Sequence, residues 1–181
     1  MAEIFDVVSE DDEVVGRARR DEVHGNPSLI HRVAHVLVFN SAGELFLQRR
    51  AADKDVQPDK WDTSVGGHVD AGETYAHAAG REMREELGIA DVPLELLYRY
   101  RHANDYESEM VTTYRVVWDG PIEIDPAEIS EGRFWTLDDI DTADTTRFTP
   151  NFLDELARFR AWLNDGPGTA ANSLDAGNGR P

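Results

Sequence analysis

The segment SVGGHVDAGETYAHAAGREMREELG, residues 64–88, constrains this chain more than any other stretch. It crowds Gly66, Gly67 and Gly72 around His68, Asp70 and Glu73, and then turns into a helical pattern. Residues 64–73 read as a loop whose backbone must come close to something. Residues 75–88 read as a helix, with Thr74 able to cap its first turn and Gly88 suited to the left-handed position past its end. Glu82, Glu85 and Glu86 then stand at i, i+3 and i+4, on one helical face. Like charges at that spacing repel one another. Either the face is solvated and partly offset by Arg81 and Arg84, or it holds a cation. An all-oxygen ligand set suits a hard ion such as Mg²⁺ or Mn²⁺.

The flanking segments alternate like strands. Residues 4–8 and 14–19 read as a first hairpin, and residues 32–39 and 44–50 around Asn40-Ser41-Ala42-Gly43 as a second, stronger one. Residues 51–61 form a polar loop. Residues 93–102 and 110–120 look like two further strands around the loop ANDYESE, and RFWTL, 133–137, adds a short one. TLDDI, 136–140, and residues 149–164 read as a short and a longer helix. This order predicts an α+β chain with a mixed sheet covered by helices on both sides. One domain over 1–164 is expected, with a disordered tail over 165–181, where large apolar residues nearly vanish.

Charge and composition then exclude whole classes of function. The net charge is −18, from 36 acidic and 18 basic residues, which argues against a basic face for nucleic acid or anionic lipid. Such a surface also repels phosphate unless a cation intervenes. No apolar run reaches the roughly 20 residues that span a bilayer, and the acidic N-terminus lacks the features of a secretory signal, so a cytoplasmic protein is expected. The chain has no cysteine, which removes disulfides, thiolate metal ligands and thiol nucleophiles.

Counted from Gly67, the helix segment reads G-x5-E-x7-R-E-U-x-E-E-x-G-U, where U is a bulky apolar residue. Gly67, Glu73, Arg81, Glu82, Met83, Glu85, Glu86, Gly88 and Ile89 fill its specified positions. This resembles the Nudix box, and Trp135 in FWTLDDI is similar to a common element of that family. The resemblance implies the Nudix fold, an α/β/α sandwich with a central mixed β-sheet. It also implies hydrolysis of a diphosphate linkage in a nucleotide or other small diphosphate. Glu82, Glu85 and Glu86, with the Gly67 carbonyl, would hold Mg²⁺ or Mn²⁺, and the same glutamates would carry the chemistry. Arg81 and Glu73 fit a structural pair tying loop to helix.

A second likeness is narrower. His24 and His31, seven apart before the first core strand, His68 in the loop, and Glu107 and Glu109 in YESEM resemble the metal set of isopentenyl-diphosphate isomerase, a Nudix relative. The resemblance implies a second divalent ion there. That enzyme carries a catalytic cysteine where this chain has Gly66. Double-bond migration needs a proton donor and acceptor, and glycine supplies neither. A hydrolase of the isomerase-like branch is therefore expected, acting on a small diphosphate; an isomerase-like activity or a non-catalytic nucleotide-binding module are the alternatives.

Overall fold

The computed structural model describes residues 3–54 and 56–166. Among these residues nine strands and four α-helices follow in order: β1 Ile4–Val8, β2 Val14–Arg19, α1 Arg20–Val23, β3 Ile30–Phe39, β4 Leu45–Arg50, β5 Trp61–Asp62, β6 Val65–His68, α2 Tyr75–Leu87, β7 Glu95–Ala103, β8 Ser108–Val117, β9 Ile129–Trp135, α3 Leu137–Thr142 and α4 Pro150–Asp165, with a 3₁₀ turn at Thr145–Arg147. The tail expected to be disordered lies, from residue 167 onward, outside the described residues.

β3 is the spine of a mixed sheet. It runs parallel to β8 along its full length, from Ile30 opposite Ser108 to Phe39 opposite Val117. Its other side pairs antiparallel with β1 at Ile30 and His31, then with β6 from Val33 to Val36. Sequence and structure part at two places here. The expected second hairpin exists only at its turn, because β3 and β4 pair at Phe39–Leu45 alone. Beyond it β4 turns away to pair with β9 and β5, since β3 already uses both edges for β6 and β8. And residues 65–68 of the expected loop are a strand: the glycines that permit close approach also permit the backbone of β3 to lie alongside.

The residues of β3 alternate between two cores, as the period of a strand requires. Ala34, Val36 and Val38 face a cluster with Ala78, Ala79, Met83 and Leu87 of α2. Val33, Leu37 and Phe39 face Phe152, Leu156 and Phe159 of α4 on the opposite side. Helix, sheet and helix thus stack as three layers. Among the described residues no helix is long and apolar enough to cross a membrane.

Candidate active site

The helix α2 is anchored at both ends as its sequence requires. Thr74 Oγ1 accepts the His77 amide at 3.3 Å, and Gly88 takes φ 68° past the last turn. The loop before it is clamped to the helix by one buried carboxylate. Glu73 accepts from Arg81 Nε at 3.1 Å and Nη2 at 3.0 Å, and from the Asp70 amide at 3.0 Å. Burial works against the Glu73 carboxylate, but Arg81, the Asp70 amide and His77 outweigh it and bring its pKa to about 2. Arg81 also reaches back to the His68 carbonyl at 3.0 Å, fastening β6 to α2. The expected Arg81–Glu73 pair is thus present.

The three box glutamates differ in their surroundings. Glu82 lies directly over Gly67: a β-carbon there would sit 2.1 Å from Glu82 Cδ, so any side chain at that position would displace the Glu82 carboxylate. Arg81 Nη1 donates to Glu82 at 2.8 Å and to the more exposed Glu85 at 3.3 Å. Glu86 is 8% exposed and accepts from Gln48 Nε2 at 3.0 Å, while Gln48 also donates to the Ser64 carbonyl. Burial first, and the neighbouring Glu82 second, raise Glu86 well above the ordinary carboxylate range; burial also raises Glu82. The three carboxylates do not form one group with oxygens all within 4.8 Å; among the described residues such groups occur elsewhere.

They occur on the opposite face of β6. His24, His31 and His68 form one such group, and His31, Glu107 and Glu109 another, so His31 joins the five residues into a single cluster. His24, just past α1, brings Nε2 to 3.1 Å from His68 Nε2 and 3.9 Å from Glu107. His31 Nε2 lies 3.7 Å from Glu109, and Phe5 stacks on His68 with ring centroids 4.7 Å apart. His31 is fully buried, yet among the described residues neither ring nitrogen has a hydrogen-bond partner at ordinary geometry. Orphaned imidazole nitrogens facing two carboxylates are the donor set that a divalent cation satisfies. Burial, with neighbouring positive groups, holds all three histidines below their ordinary pKa, His31 at about 4, so they are neutral near pH 7, the form that can bind a cation. Burial, and then Glu107, lift Glu109 to about 7. Glu107 stands one residue before β8 rather than within a strand, yet its carboxylate reaches the cluster all the same.

Alternation along β6 explains the two-sided arrangement. Gly67 faces α2 and Glu82, whereas Gly66 faces the other side, where a β-carbon would meet His35 Cδ2 at 3.3 Å. His35, Glu155, Tyr98 and Tyr100 form a buried polar group there that sequence reading passes over. Two signals were available: His35 shares the strand face of His31, and Glu155 sits three residues after Phe152 on the apolar face of α4. Gln48, the partner of Glu86, carries no signal in the sequence. Arg49 sits with Asp59 and Glu131 at 3.6 Å each, as an exposed strand-end charge does. Trp61 and Trp135 pack edge-to-face in the core beneath α4.

A family model, the NUDIX domain, matches residues 29–156. The chain is 41% identical over 133 residues to an uncharacterised Nudix hydrolase of Pseudomonas aeruginosa, PA4841, covering 74% of this chain and 78% of that protein. It is 35% identical over 171 residues to an uncharacterised Nudix hydrolase of Streptomyces coelicolor, SCO1686, covering 92% and 94%. Among solved structures, DR0079 from Deinococcus radiodurans superposes with a TM-score of 0.63 at 31% identity, covering 94% of this chain and 93% of the other.

Proposed function

The chain belongs to the Nudix hydrolase family, and on that premise we propose that it is a divalent-cation-dependent diphosphohydrolase of a nucleotide or other small diphosphate. One observation carries the reading: Glu82 lies over Gly67, where a β-carbon would push its carboxylate aside, one turn from the buried Glu86, so both carboxylates lie along the seam between α2 and the sheet. Burying carboxylates side by side is costly without a compensating cation. Glu82, Glu85 and Glu86 with the Gly67 carbonyl would hold Mg²⁺ or Mn²⁺. Such an ion would neutralise diphosphate oxygens and supply Lewis acidity that activates water near pH 7.

The residues of the chain then have distinct tasks. Gln48 holds one oxygen of Glu86 and leaves the other free to ligate. Arg81, fixed by Glu73, sets the height of α2 against β6. Glu82, raised above its ordinary pKa by burial, is suited to accept the proton of the attacking water. A second divalent ion is proposed at His24, His31, His68, Glu107 and Glu109, supported by the unpartnered His31.

The test is product release from a panel of diphosphates with Mg²⁺ or Mn²⁺. Glu86→Gln and Gly67→Ala are expected to lower kcat by at least about a hundredfold with the melting temperature nearly kept, because each disturbs a ligand and not the core. Wild-type turnover in both variants would remove the box from catalysis. The His/Glu cluster also favours a second reading, isomerisation of isopentenyl diphosphate. Gly66 opposes it, and double-bond migration of that substrate would overturn the hydrolase assignment.

A further inference from the structure

A cavity of about 520 Å³ opens where β4, β5 and β9 meet the 3₁₀ turn at Thr145–Arg147. Such a volume lies within the range of small-molecule sites, roughly 300–1,000 Å³. Arg49, Lys60, Arg133 and Arg147 line it, against the carboxylates of Asp59 and Glu131. Strand alternation puts it on the far side of the sheet from the box. Gln48 turns to Glu86 beneath α2, and Arg49 beside it turns the other way. No residue of the box or of the His/Glu cluster lines the cavity. An occupant is therefore separate from a diphosphate held by the box ion.

Cations gathered around one hollow are unexpected in a chain with 36 acidic residues and 18 basic ones. Ordinary pairing does not account for them. Asp59 and Glu131 both turn to Arg49, at 3.6 Å each. Among the described residues, the basic side chains without an ion-pair partner are Lys60, Arg84, Arg133 and Arg147, and all but Arg84 line this cavity. The two arginines are held all the same. Arg133 lies 3.9 Å from the ring centroid of Trp135 and 5.2 Å from that of Trp61, and Arg147 lies 5.5 Å from that of Trp135. Both tryptophans are fixed in the core. An aromatic face holds a guanidinium by its plane and leaves the N–H donors on its edge unused. Neither guanidinium donates a hydrogen bond among the described residues. Arg133 and Arg147 also line an adjoining hollow of about 320 Å³ with Trp135, whose buried Nε1 has no partner among the described residues. The result is two oriented forks of donors near the Lys60 ammonium, repelling one another until an anion enters.

We propose that this cavity is a second ligand site that takes a phosphate group, with Arg133 and Arg147 donating to its oxygens and Lys60 adding charge. A guanidinium fork matches phosphate oxygens bidentately, and several unpaired cations around one space suit a dianion better than a single carboxylate. The group comes either from inorganic phosphate or from a nucleotide, and the cavity reads the chemistry the two share. On a chain of net charge −18 most of the surface repels such an anion, and this patch is where it is drawn in. The site stands whether or not the box hydrolyses a diphosphate.

The test titrates the full chain with inorganic phosphate and, separately, with adenosine monophosphate. Metal is first stripped on a chelating resin, so that no cation draws phosphate to the box. Calorimetry gives Kd, and NMR follows the arginine Nε–H signals. We expect saturable binding of phosphate with Kd of about 1 mM or below, and shifts of the Arg133 and Arg147 signals. A monophosphate bound about tenfold more tightly than inorganic phosphate assigns the site to a nucleotide, and equal affinities assign it to free phosphate. Arg133→Gln and Arg147→Gln should each weaken Kd about tenfold. Glu131→Gln, which removes a rim carboxylate, should tighten it. Arg84→Gln, which removes an unpaired arginine outside the cavity, should leave it within about twofold of wild type. Binding that never saturates, Arg133 and Arg147 signals unmoved at saturation, or a Kd unchanged in both folded arginine variants overturns the proposal. An oligoglutamate peptide that binds the cavity where phosphate does not overturns it as well.

Discussion

Glu73 shows how a single side chain can serve the site without entering it. Its carboxylate ties Arg81, the Asp70 amide and His77 together, and Arg81 in turn grips β6. The folded pKa of about 2 lies below the ordinary value of 4.5. The stabilisation is therefore present above about pH 4.5 and is lost as pH falls toward about 2. Glu73→Gln should cost roughly 2 kcal/mol at pH 7, a difference that shrinks to nothing near the acid end. Urea unfolding of both proteins across that range measures it; a gap independent of pH would mean that shape, and not charge, holds the loop. The role of Glu73 is legible in sequence because its partner stands eight residues on, within reach once the helix forms. Glu155 is not legible in that way: His35 is 120 residues distant, and only the packing of α4 on the sheet brings them together.

At the scale of elements, α2 owes its position to its ends. Gly88 sits at φ 68°, and a β-carbon there would stand 3.2 Å from Glu123 Cβ. Gly88→Ala should destabilise the fold by about 1–2 kcal/mol, through left-handed strain with some crowding added. Chemical denaturation should show a lower midpoint with an unchanged slope; an unchanged midpoint would mean that the cap contributes nothing. Both caps of α2 could be placed from sequence, since capping is local chemistry. The strand β6 could not. Four residues with two glycines carry no alternating pattern, and they become a strand because β3 offers a free edge beside them. The divergence of β4 from β3 has the same cause, competition for an edge.

For the whole molecule, the sheet divides two acidic sites that a cation would relieve, one under α2 and one at the end of β3. Anything bound by the folded state alone stabilises it, by about 2.7 kcal/mol at a hundredfold excess over Kd. Mn²⁺ is therefore expected to raise the melting temperature by roughly 5–10 °C per site, and chelation should reverse the rise. His31→Ala should remove the increment due to the His/Glu cluster, and Glu86→Gln that of the box. A melting temperature indifferent to Mn²⁺ would sink both assignments. The amino-acid sequence by itself determined the family, the box helix with its caps, and the five residues of the His/Glu cluster, because these depend on spacing within a segment or on a motif. The tertiary structure alone decided that the two sets stand on opposite faces of β6. It also decided that Gln48 holds Glu86, and that Gly66 opens onto a histidine steadied from α4. Those facts depend on which edges and faces meet, a property of the packed sheet that local chemistry does not encode.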